Sequence, residues 1–227
     1  MPNQFQRGVT VVGGGGGALG SAVVRRLVAS GRAVVIPARH PERVAAASGV
    51  TVLACDLDDP AAVARLPAAV EAIGRWDGLV SASGTYAGGR AHETDDGVIA
   101  AMLAANLLGP WRLARAAAAS MVAAGAGGRI VLVASRAAIE VARGQAAYQV
   151  SKTAALRLAQ VMAAELRGHG ITVNTVLPGT MDTAANRASM PNADRSSWVS
   201  TDSVAATIEW VLSDEAAAVT GAAVPAG

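Results

Sequence analysis

The 227-residue sequence contains very little cysteine, histidine and lysine. Because Cys55 is the only cysteine, an intramolecular disulfide is excluded, and we expect a protein of a reducing, cytoplasmic compartment. The three histidines, His40, His92 and His169, show no metal-ligand spacing with that cysteine, so we expect surface residues and no metal site. The net charge is only +2 and the arginines are scattered, which argues against a nucleic-acid partner.

Long hydrophobic runs without charge are also scarce. The uncharged run of residues 8–24 holds seven glycines, which make a poor apolar helix, so it does not resemble a signal peptide. The other apolar runs are alanine-rich and interrupted, well short of the ~20 residues that a membrane span needs. The sequence therefore predicts a soluble protein with no membrane partner.

What the sequence does contain is an alternation of short β-branched runs and longer helical ones. We expect strands at residues 9–12, 33–36, 50–54, 78–81, 129–134 and 171–177, with a last strand near the end of the chain, and helices that begin near Ala18, Pro41, Pro60, Asp95, Tyr148 and Thr201. Each strand run is continuously apolar, as in parallel sheets that are buried on both faces. Residues 1–227 should form one α/β domain with a Rossmann-type, doubly wound parallel sheet and helices on both faces.

The first predicted strand leads directly into a glycine loop and then a helix. Such a loop lets the backbone approach a pyrophosphate, while the helix N-terminus supplies free N–H groups and a positive dipole end. The glycine run allows two registers. Gly15, Gly17 and Gly20 fit the general dinucleotide fingerprint, and Gly14, Ala18 and Gly20 fit a second one.

The only lysine, Lys152, lies four residues after Tyr148 within a helical pattern at residues 145–167, so both share one helix face. Lysine is a compact charge that can lie beneath a hydroxyl, which the arginine fork cannot do. An adjacent cation favours the phenolate and would lower the pKa of Tyr148 toward neutrality, which suggests a proton donor. From the spacing alone, a surface pair is an equally good explanation. The apolar stripe of this helix is residues 147, 150, 154, 158, 161, 162 and 166.

The second glycine register and the Tyr148-x-x-x-Lys152 spacing together resemble the short-chain dehydrogenases/reductases over nearly the whole chain. Ser135 and Asn106 match the family's catalytic serine and asparagine in order and spacing. The resemblance implies hydride transfer to a carbonyl or imine carbon, with Tyr148 donating the proton and Ser135 holding the oxygen. It also implies that Lys152 lowers the pKa of Tyr148 and binds the ribose, and that Asn106 positions a water that relays protons.

The same resemblance implies the cofactor contacts. The expected residues are Gly14, Gly17, Leu19, Gly20, Arg39, Asp56, Leu57, Ser83, Gly84, Tyr148, Lys152, Pro178, Gly179, Met181 and Thr183. One departure is the segment of residues 81–84, Ser-Ala-Ser-Gly, where the family usually has Asn-Asn-Ala-Gly. The second predicted strand ends in Ala38 and Arg39 with no acidic residue. Because an arginine there accommodates a 2′-phosphate, we expect NADPH rather than NADH.

Residues 177–198 resemble quinonoid dihydropteridine reductases and bacterial 3-oxoacyl-carrier-protein reductase-like enzymes. Residues 183–200 are therefore expected to bind a small-molecule carbonyl substrate, beside a pocket wall of Tyr86, Trp111, Ile139, Glu140, Arg143, Met181, Met190 and Trp198. Two features argue against the dihydropterin: no acid follows the second strand, and those enzymes lack the serine found here as Ser135. An NADP-binding sensor without turnover stays open as an alternative. The resemblance also implies a homodimer or homotetramer.

Overall fold

The computed structural model describes residues 8–45 and 47–227, and seven parallel strands form its central sheet. The spatial order is β3-β2-β1-β4-β5-β6-β7, which confirms the predicted doubly wound sheet. The strands are β1 (Val9–Gly13), β2 (Ala33–Ala38), β3 (Val50–Ala54), β4 (Trp76–Ser81), β5 (Gly128–Val133), β6 (Ile171–Pro178) and β7 (Ala223–Ala226).

Helices cover both faces of the sheet. They are α1 (Ala18–Ala29), α2 (Pro60–Glu71), α3 (Asp96–Leu103), α4 (Gly109–Ala124), α5 (Ala146–Leu166), α6 (Ala184–Ser189) and α7 (Thr201–Leu212). On one face, α2, α4 and α5 pack over a core that includes Leu79, Leu113 and Ile130. On the other face, α1 and α7 pack over Val80, Val131 and Ile208. Consecutive strand residues such as Leu79 and Val80 enter opposite cores, which is why the strands read as continuously apolar.

Sequence signals at the helix starts are largely confirmed. The Asp59 carboxylate accepts a hydrogen bond from the Ala61 N–H at 2.8 Å, so it caps α2 ahead of Pro60. The cap of α7 is Ser200, whose hydroxyl accepts from the Ser203 N–H at 3.1 Å. The helix predicted near Pro41 is wrong, because Pro41–Arg43 forms only a single 3₁₀ turn before the chain enters β3.

The predicted apolar stripe of α5 is only partly buried. Ala147, Leu158 and Met162 lie in the core, but Val150 and Val161 are 56% and 46% exposed. Alanines at positions 155, 159 and 163 form the buried face instead, because a small side chain lets the helix approach the sheet closely. The two valines therefore belong to an outer face of the helix.

A continuous helical run, Asp96–Ala124, is long and apolar enough to cross a membrane by length and composition alone. From the sequence, its parts were expected to be short, interrupted apolar runs. In the structure, α3 and α4 are joined by a π-helical turn, Ala104–Leu108, which makes the run continuous. Core helices of soluble proteins pass the same test, and here α4 packs against β4, α2 and α5.

The strand order places a crevice at the centre of the sheet. After β1 the chain proceeds to β2 and β3 on one side, and from β4 onward it proceeds to the other side. In sheets of this kind, ligands bind beyond the carboxyl ends of the strands at the point where the order reverses. That point lies between β1 and β4, where the glycine loop and residues 82–85 meet.

Candidate active site

The glycine loop at the end of β1 is shaped by contacts with the loop after β4. Gly14 has a φ of +77°, and a Cβ there would lie 2.7 Å from the Ser83 amide nitrogen. A Cβ on Gly20 would lie 2.1 Å from the Gly14 carbonyl oxygen. Both positions therefore require glycine, whereas Ala18 already carries a Cβ as the first residue of α1. A Cβ on Gly15 of the first register would meet only the Ile36 side chain, at 2.8 Å, so the positive φ and the backbone contact at Gly14 favour the second register, Gly14, Ala18 and Gly20.

The N-terminus of α1 is open toward a ligand. Gly17 is its N-cap residue and offers no side chain to accept from the first-turn N–H groups. These groups and the helix dipole favour an anion such as a pyrophosphate. The loop borders a cleft of about 400 Å³.

The cleft contains seven of the predicted cofactor residues: Gly14, Gly17, Arg39, Asp56, Leu57, Ser83 and Gly84. Ser83 has a buried hydroxyl oxygen without a hydrogen-bond partner among the described residues. An open helix N-terminus, close backbone approach and an unsatisfied hydroxyl are features that fit an adenine dinucleotide. Leu19 and Gly20 lie in the first turn of α1, where Leu19 is 5% exposed within the core and a Cβ on Gly20 would meet the Gly14 carbonyl. Neither residue lines the cleft with a side chain, so the predicted cofactor contacts there would use backbone N–H groups.

Arg39, which is predicted to bind a 2′-phosphate, is paired with two carboxylates. Its Nε atom lies 2.9 Å from Asp56 Oδ2, and its Nη2 atom lies 2.9 Å from Asp58 Oδ2. A backbone hydrogen bond from the Asp58 N–H lowers the pKa of Asp56, and Arg39 lowers it further. Arg39 and Asp56 were predicted as separate cofactor contacts, and no feature of the sequence indicates this ion-pair cluster.

Four further predicted cofactor residues lie at the end of β6 or directly after it. Pro178 ends the strand, and the Gly179 N–H donates to the Ala226 carbonyl at 3.2 Å. Met181 forms an isolated bridge with Val199, and Thr183 caps α6 by accepting from the Asn186 N–H at 3.2 Å. These contacts anchor the start of the 183–200 segment to the carboxyl edge of the sheet.

Asn106 occupies the π-helical turn and is 1% exposed. Its amide nitrogen donates to the Thr85 carbonyl at 3.0 Å, and its oxygen accepts from the Thr85 N–H at 2.9 Å. A third bond, from Nδ2 to the Ser151 hydroxyl at 3.0 Å, joins the turn to α5. Nearly all the bonding capacity of this side chain is therefore used to fix the loop after β4 against α5.

Ser135 follows β5 and meets Tyr148 across the site. Its hydroxyl accepts from the Ala137 N–H at 3.2 Å, and a hydrogen bond with Ser135 lowers the pKa of Tyr148. Burial raises that pKa by more, so the net shift is upward, with a further rise from Tyr86. Lys152 is not among the groups that shift the pKa of Tyr148, so the expectation that Lys152 lowers this pKa is wrong. The phenol keeps its proton at neutral pH.

Lys152 is 6% exposed beneath the same helix face. Its Nζ atom lies 5.9 Å from the centroid of the Tyr148 ring and donates to the Val133 carbonyl at 3.3 Å. Burial disfavours the ammonium and lowers the pKa of Lys152 to about 8. A Cβ on Gly84 would lie 3.0 Å from Nζ and 2.6 Å from Asn106 Oδ1, so the loop after β4 comes close to both groups.

The structure adds residues that sequence reasoning missed. The fully buried Ser151 hydroxyl donates to the Tyr148 carbonyl at 2.7 Å and accepts from Asn106, so it joins two of the proposed catalytic residues. Thr85 contributes only backbone groups to the same network. Neither carried a sequence signal, since serine within a helix is common and backbone bonding is independent of side-chain identity.

Of the predicted pocket wall, Tyr86 contacts the site directly, with its ring edge-on to Tyr148 at 5.0 Å between centroids. Trp198 carries the Arg195 guanidinium 5.6 Å from its ring centroid, and Glu140 pairs with Arg136 at 3.0 Å. Exposed side chains complete the set: Trp111, Ile139, Arg143 and Met190. Among the described residues, no group of three or more His, Cys, Asp or Glu side chains is arranged to hold a metal ion.

A doubly wound parallel sheet with an open, glycine-lined helix N-terminus and a Ser-Tyr-Lys-Asn cluster at its carboxyl edge is typical of oxidoreductases that bind a nicotinamide dinucleotide. The short chain dehydrogenase family model matches residues 8–194. The chain belongs to that family.

Several known proteins are similar to this chain. An uncharacterized NAD-dependent oxidoreductase of Mycobacterium tuberculosis is 39% identical over 62% of the chain, but the match spans about half of that relative, 52% of its length. A putative ketoacyl reductase of granaticin polyketide synthesis from Streptomyces violaceoruber is 31% identical, over 98% of the chain and 92% of the relative. The cyclic-di-GMP-binding biofilm dispersal mediator protein of Escherichia coli is 32% identical, over 94% of the chain and 92% of the relative.

The fold also matches solved structures. A short-chain type dehydrogenase/reductase from Mycobacterium ulcerans superposes with a TM-score of 0.89 at 29% identity, covering 96% of this chain and 87% of the other.

Proposed function

We propose that the protein is an NADPH-dependent oxidoreductase that reduces a carbonyl or imine carbon, with Tyr148 as the proton donor. The observation that carries this proposal is the partly buried Tyr148 phenol, bonded to Ser135 and lying over Lys152. Because burial raises its pKa, the phenol is protonated at neutral pH and releases its proton only to an oxygen or nitrogen that gains negative charge. NADPH, when bound, supplies the hydride.

The other members of the tetrad have separate tasks. The Ser135 hydroxyl binds the substrate oxygen as charge grows on it. Lys152, with a pKa of about 8, is mainly protonated at pH 7 and can return a proton toward Tyr148 after each turnover. Asn106 holds the loop after β4 and α5 in the arrangement that brings Lys152 close to Gly84.

Arg39 supports the preference for NADPH. It is the basic residue after β2 on the rim of the cleft, where a 2′-phosphate would lie in this class of fold, and no acidic residue occupies the end of β2 itself. The expected order of affinity is NADPH above NADH.

The substrate is proposed to be a small carbonyl compound bound between Tyr86 and the segment of residues 183–200. The exposed Tyr86 ring beside Tyr148 gives the site an aromatic wall. Similarity to a ketoacyl reductase over most of the chain favours 3-oxoacyl thioesters as the first class to test. The resemblance of the same segment to dihydropteridine reductases makes quinonoid dihydropterin the second.

The test is NADPH oxidation by the purified protein against ketones, 3-oxoacyl thioesters and quinonoid dihydropterin, with Tyr148→Phe as control. We expect turnover on one class by the wild type and its loss in the variant. Binding of NADPH with no turnover on any class would favour the alternative, a sensor that binds NADP without turnover. This alternative is supported by the similarity of the chain to a cyclic-di-GMP-binding protein.

We also propose that the protein assembles as a homodimer or homotetramer. Apolar side chains of the π-helical turn, α4 and α5 are exposed on the single chain: Leu108, Trp111, Val150 and Val161. Exposed apolar patches on helices are typical of protein interfaces. Light scattering after size-exclusion chromatography should give two or four chain masses, and Val150→Glu should lower that number. A monomeric wild type at micromolar concentration would contradict this.

A further inference from the structure

The cluster of Arg39, Asp56 and Asp58 forms one rim of the cleft. Arg39 bonds Asp56 through both Nε and Nη2, at 2.9 and 3.1 Å, and it bonds Asp58 through Nη2 at 2.9 Å. The three side chains are 59%, 36% and 53% exposed, in the order Arg39, Asp56 and Asp58. Exposed ion pairs of this kind are weak and can be remade when a ligand binds.

The two carboxylates are not equivalent. Asp56 also accepts the Asp58 N–H at 3.0 Å, so its position is fixed by the turn that follows β3. For the Asp58 carboxylate, Arg39 is the hydrogen-bond partner among the described residues. One guanidinium faces two carboxylates, which leaves this rim with an excess of one negative charge where the 2′-phosphate of NADPH is expected.

We propose that Asp58 is a specificity-determining residue, because it competes with the 2′-phosphate of NADPH for the Arg39 guanidinium. This inference rests on the proposed function, since it concerns the cofactor of the same site. A phosphate monoester carries about −1.5 to −2 charges at pH 7 and forms a bidentate pair with arginine. To form that pair in full, Arg39 must give up its bond to Asp58. NADH has a hydroxyl at this position and makes no such demand.

The expected effect is moderate. In water, repulsion between two unit charges 4 Å apart weakens binding by a factor of about five. The phosphate carries more than one charge, so removal of the Asp58 charge should lower the NADPH dissociation constant about tenfold. Dissolved salt screens the exposed pair and reduces this factor. The affinity for NADH should change by less than about twofold.

The experiment measures dissociation constants for NADPH and NADH by tryptophan-fluorescence titration at low ionic strength, without substrate. Asp58→Asn keeps the side-chain size and removes the charge. Glu42→Gln is the matched control, because this exposed carboxylate pairs with His40 and Arg43 instead of Arg39. We expect about tenfold tighter NADPH binding in Asp58→Asn and less than a twofold change in Glu42→Gln. Unchanged or weaker NADPH binding in Asp58→Asn, or equal gains for both dinucleotides, would overturn the proposal.

A second background shows whether Asp58 acts through Arg39. In Arg39→Ala, the gain from Asp58→Asn should fall below about threefold, since no guanidinium is left to release. An equal gain in both backgrounds would show bulk charge repulsion and contradict competition. The titrations need no turnover, so a protein that binds both dinucleotides but reduces no substrate would fail the proposed function and still decide this inference. Binding of neither dinucleotide would overturn both.

Discussion

Burial of the only lysine should make the ligand-free protein less stable than a variant without it. Lys152 is 6% exposed, and burial lowers its pKa from 10.5 to about 8. Below pH 8 the folded protein holds a buried ammonium, whereas the unfolded chain holds a hydrated one. A shift of one pKa unit corresponds to about 1.4 kcal/mol, so the free energy of unfolding at pH 7 is lowered by roughly 3 kcal/mol.

The sign of the pH dependence follows from the same shift. Between pH 8 and 10.5 the unfolded state binds more protons than the folded state, so this contribution to stability rises with pH. At pH 9.5 the penalty should have fallen to about half of its value at pH 7, since only about one pKa unit then separates the pH from the pKa of the unfolded chain. The raised pKa of Tyr148 opposes this trend only near and above pH 10.

Urea denaturation of wild type and Lys152→Met, at one protein concentration and at pH 7 and 9.5, tests this reasoning. Methionine has a similar length and no charge, so it should fill the same space. We expect Lys152→Met to be more stable by roughly 3 kcal/mol at pH 7 and by about half as much at pH 9.5. A variant less stable than wild type, or a difference independent of pH, would refute the account of Lys152.

Three further outcomes are expected from the structure. Asp77→Asn should lower the free energy of unfolding by about 3 kcal/mol in urea denaturation, because it removes the carboxylate of the buried pair with Arg32; Arg75→Gln, at the exposed side of that carboxylate, should cost under about 1 kcal/mol. Gly20→Ala should weaken NADPH binding more than tenfold or prevent folding, as seen by titration and circular dichroism, because its Cβ would lie 2.1 Å from the Gly14 carbonyl oxygen. Gly97→Ala, in α3 with nothing within 4 Å of the added Cβ, should instead raise the free energy of unfolding by about 0.5–1 kcal/mol. Asn106→Leu should lower it by at least about 2 kcal/mol, because the Thr85 N–H and C=O both lose their partner, and Asn106→Asp should recover the bond to the N–H only.

The sheet was predictable because its physical cause is local. A strand covered on both faces is buried at every position, as β1, β4 and β6 are, and their residues are mainly apolar. The prediction of a helix near Pro41 was wrong for a nonlocal reason. Only residues 39–49 connect β2 to β3, and they must return along the length of β2 because the two strands pair in parallel, which leaves room for one turn.

The register of the glycine loop could not be predicted from the sequence. Consecutive glycines allow several alignments, and the choice comes from Ser83, about 70 residues later, whose amide approaches Gly14. The pairing of Arg39 with Asp56 and Asp58 likewise depends on β2 and β3 being neighbours in the sheet.

The predicted direction of the Tyr148 pKa shift was wrong, because residue spacing shows which residues are neighbours but not how deeply they are buried. The sequence places a cation four residues away, and that alone favours the phenolate. In the structure, burial of the ring and the adjacent Tyr86 raise the pKa, and Lys152 directs its ammonium to the Val133 carbonyl. The role of Tyr148 as a donor is unaffected, since a proton donor must first hold its proton.

The central claim is that the Tyr148 hydroxyl supplies the proton in a reduction driven by NADPH. Its most direct test is the turnover number of Tyr148→Phe on the best substrate of the wild type, measured beside the NADPH dissociation constant. The account predicts a loss of at least about 100-fold in turnover, in the range typical of general acids, with NADPH affinity within about threefold. Turnover within tenfold of the wild type, at equal cofactor saturation, would contradict it.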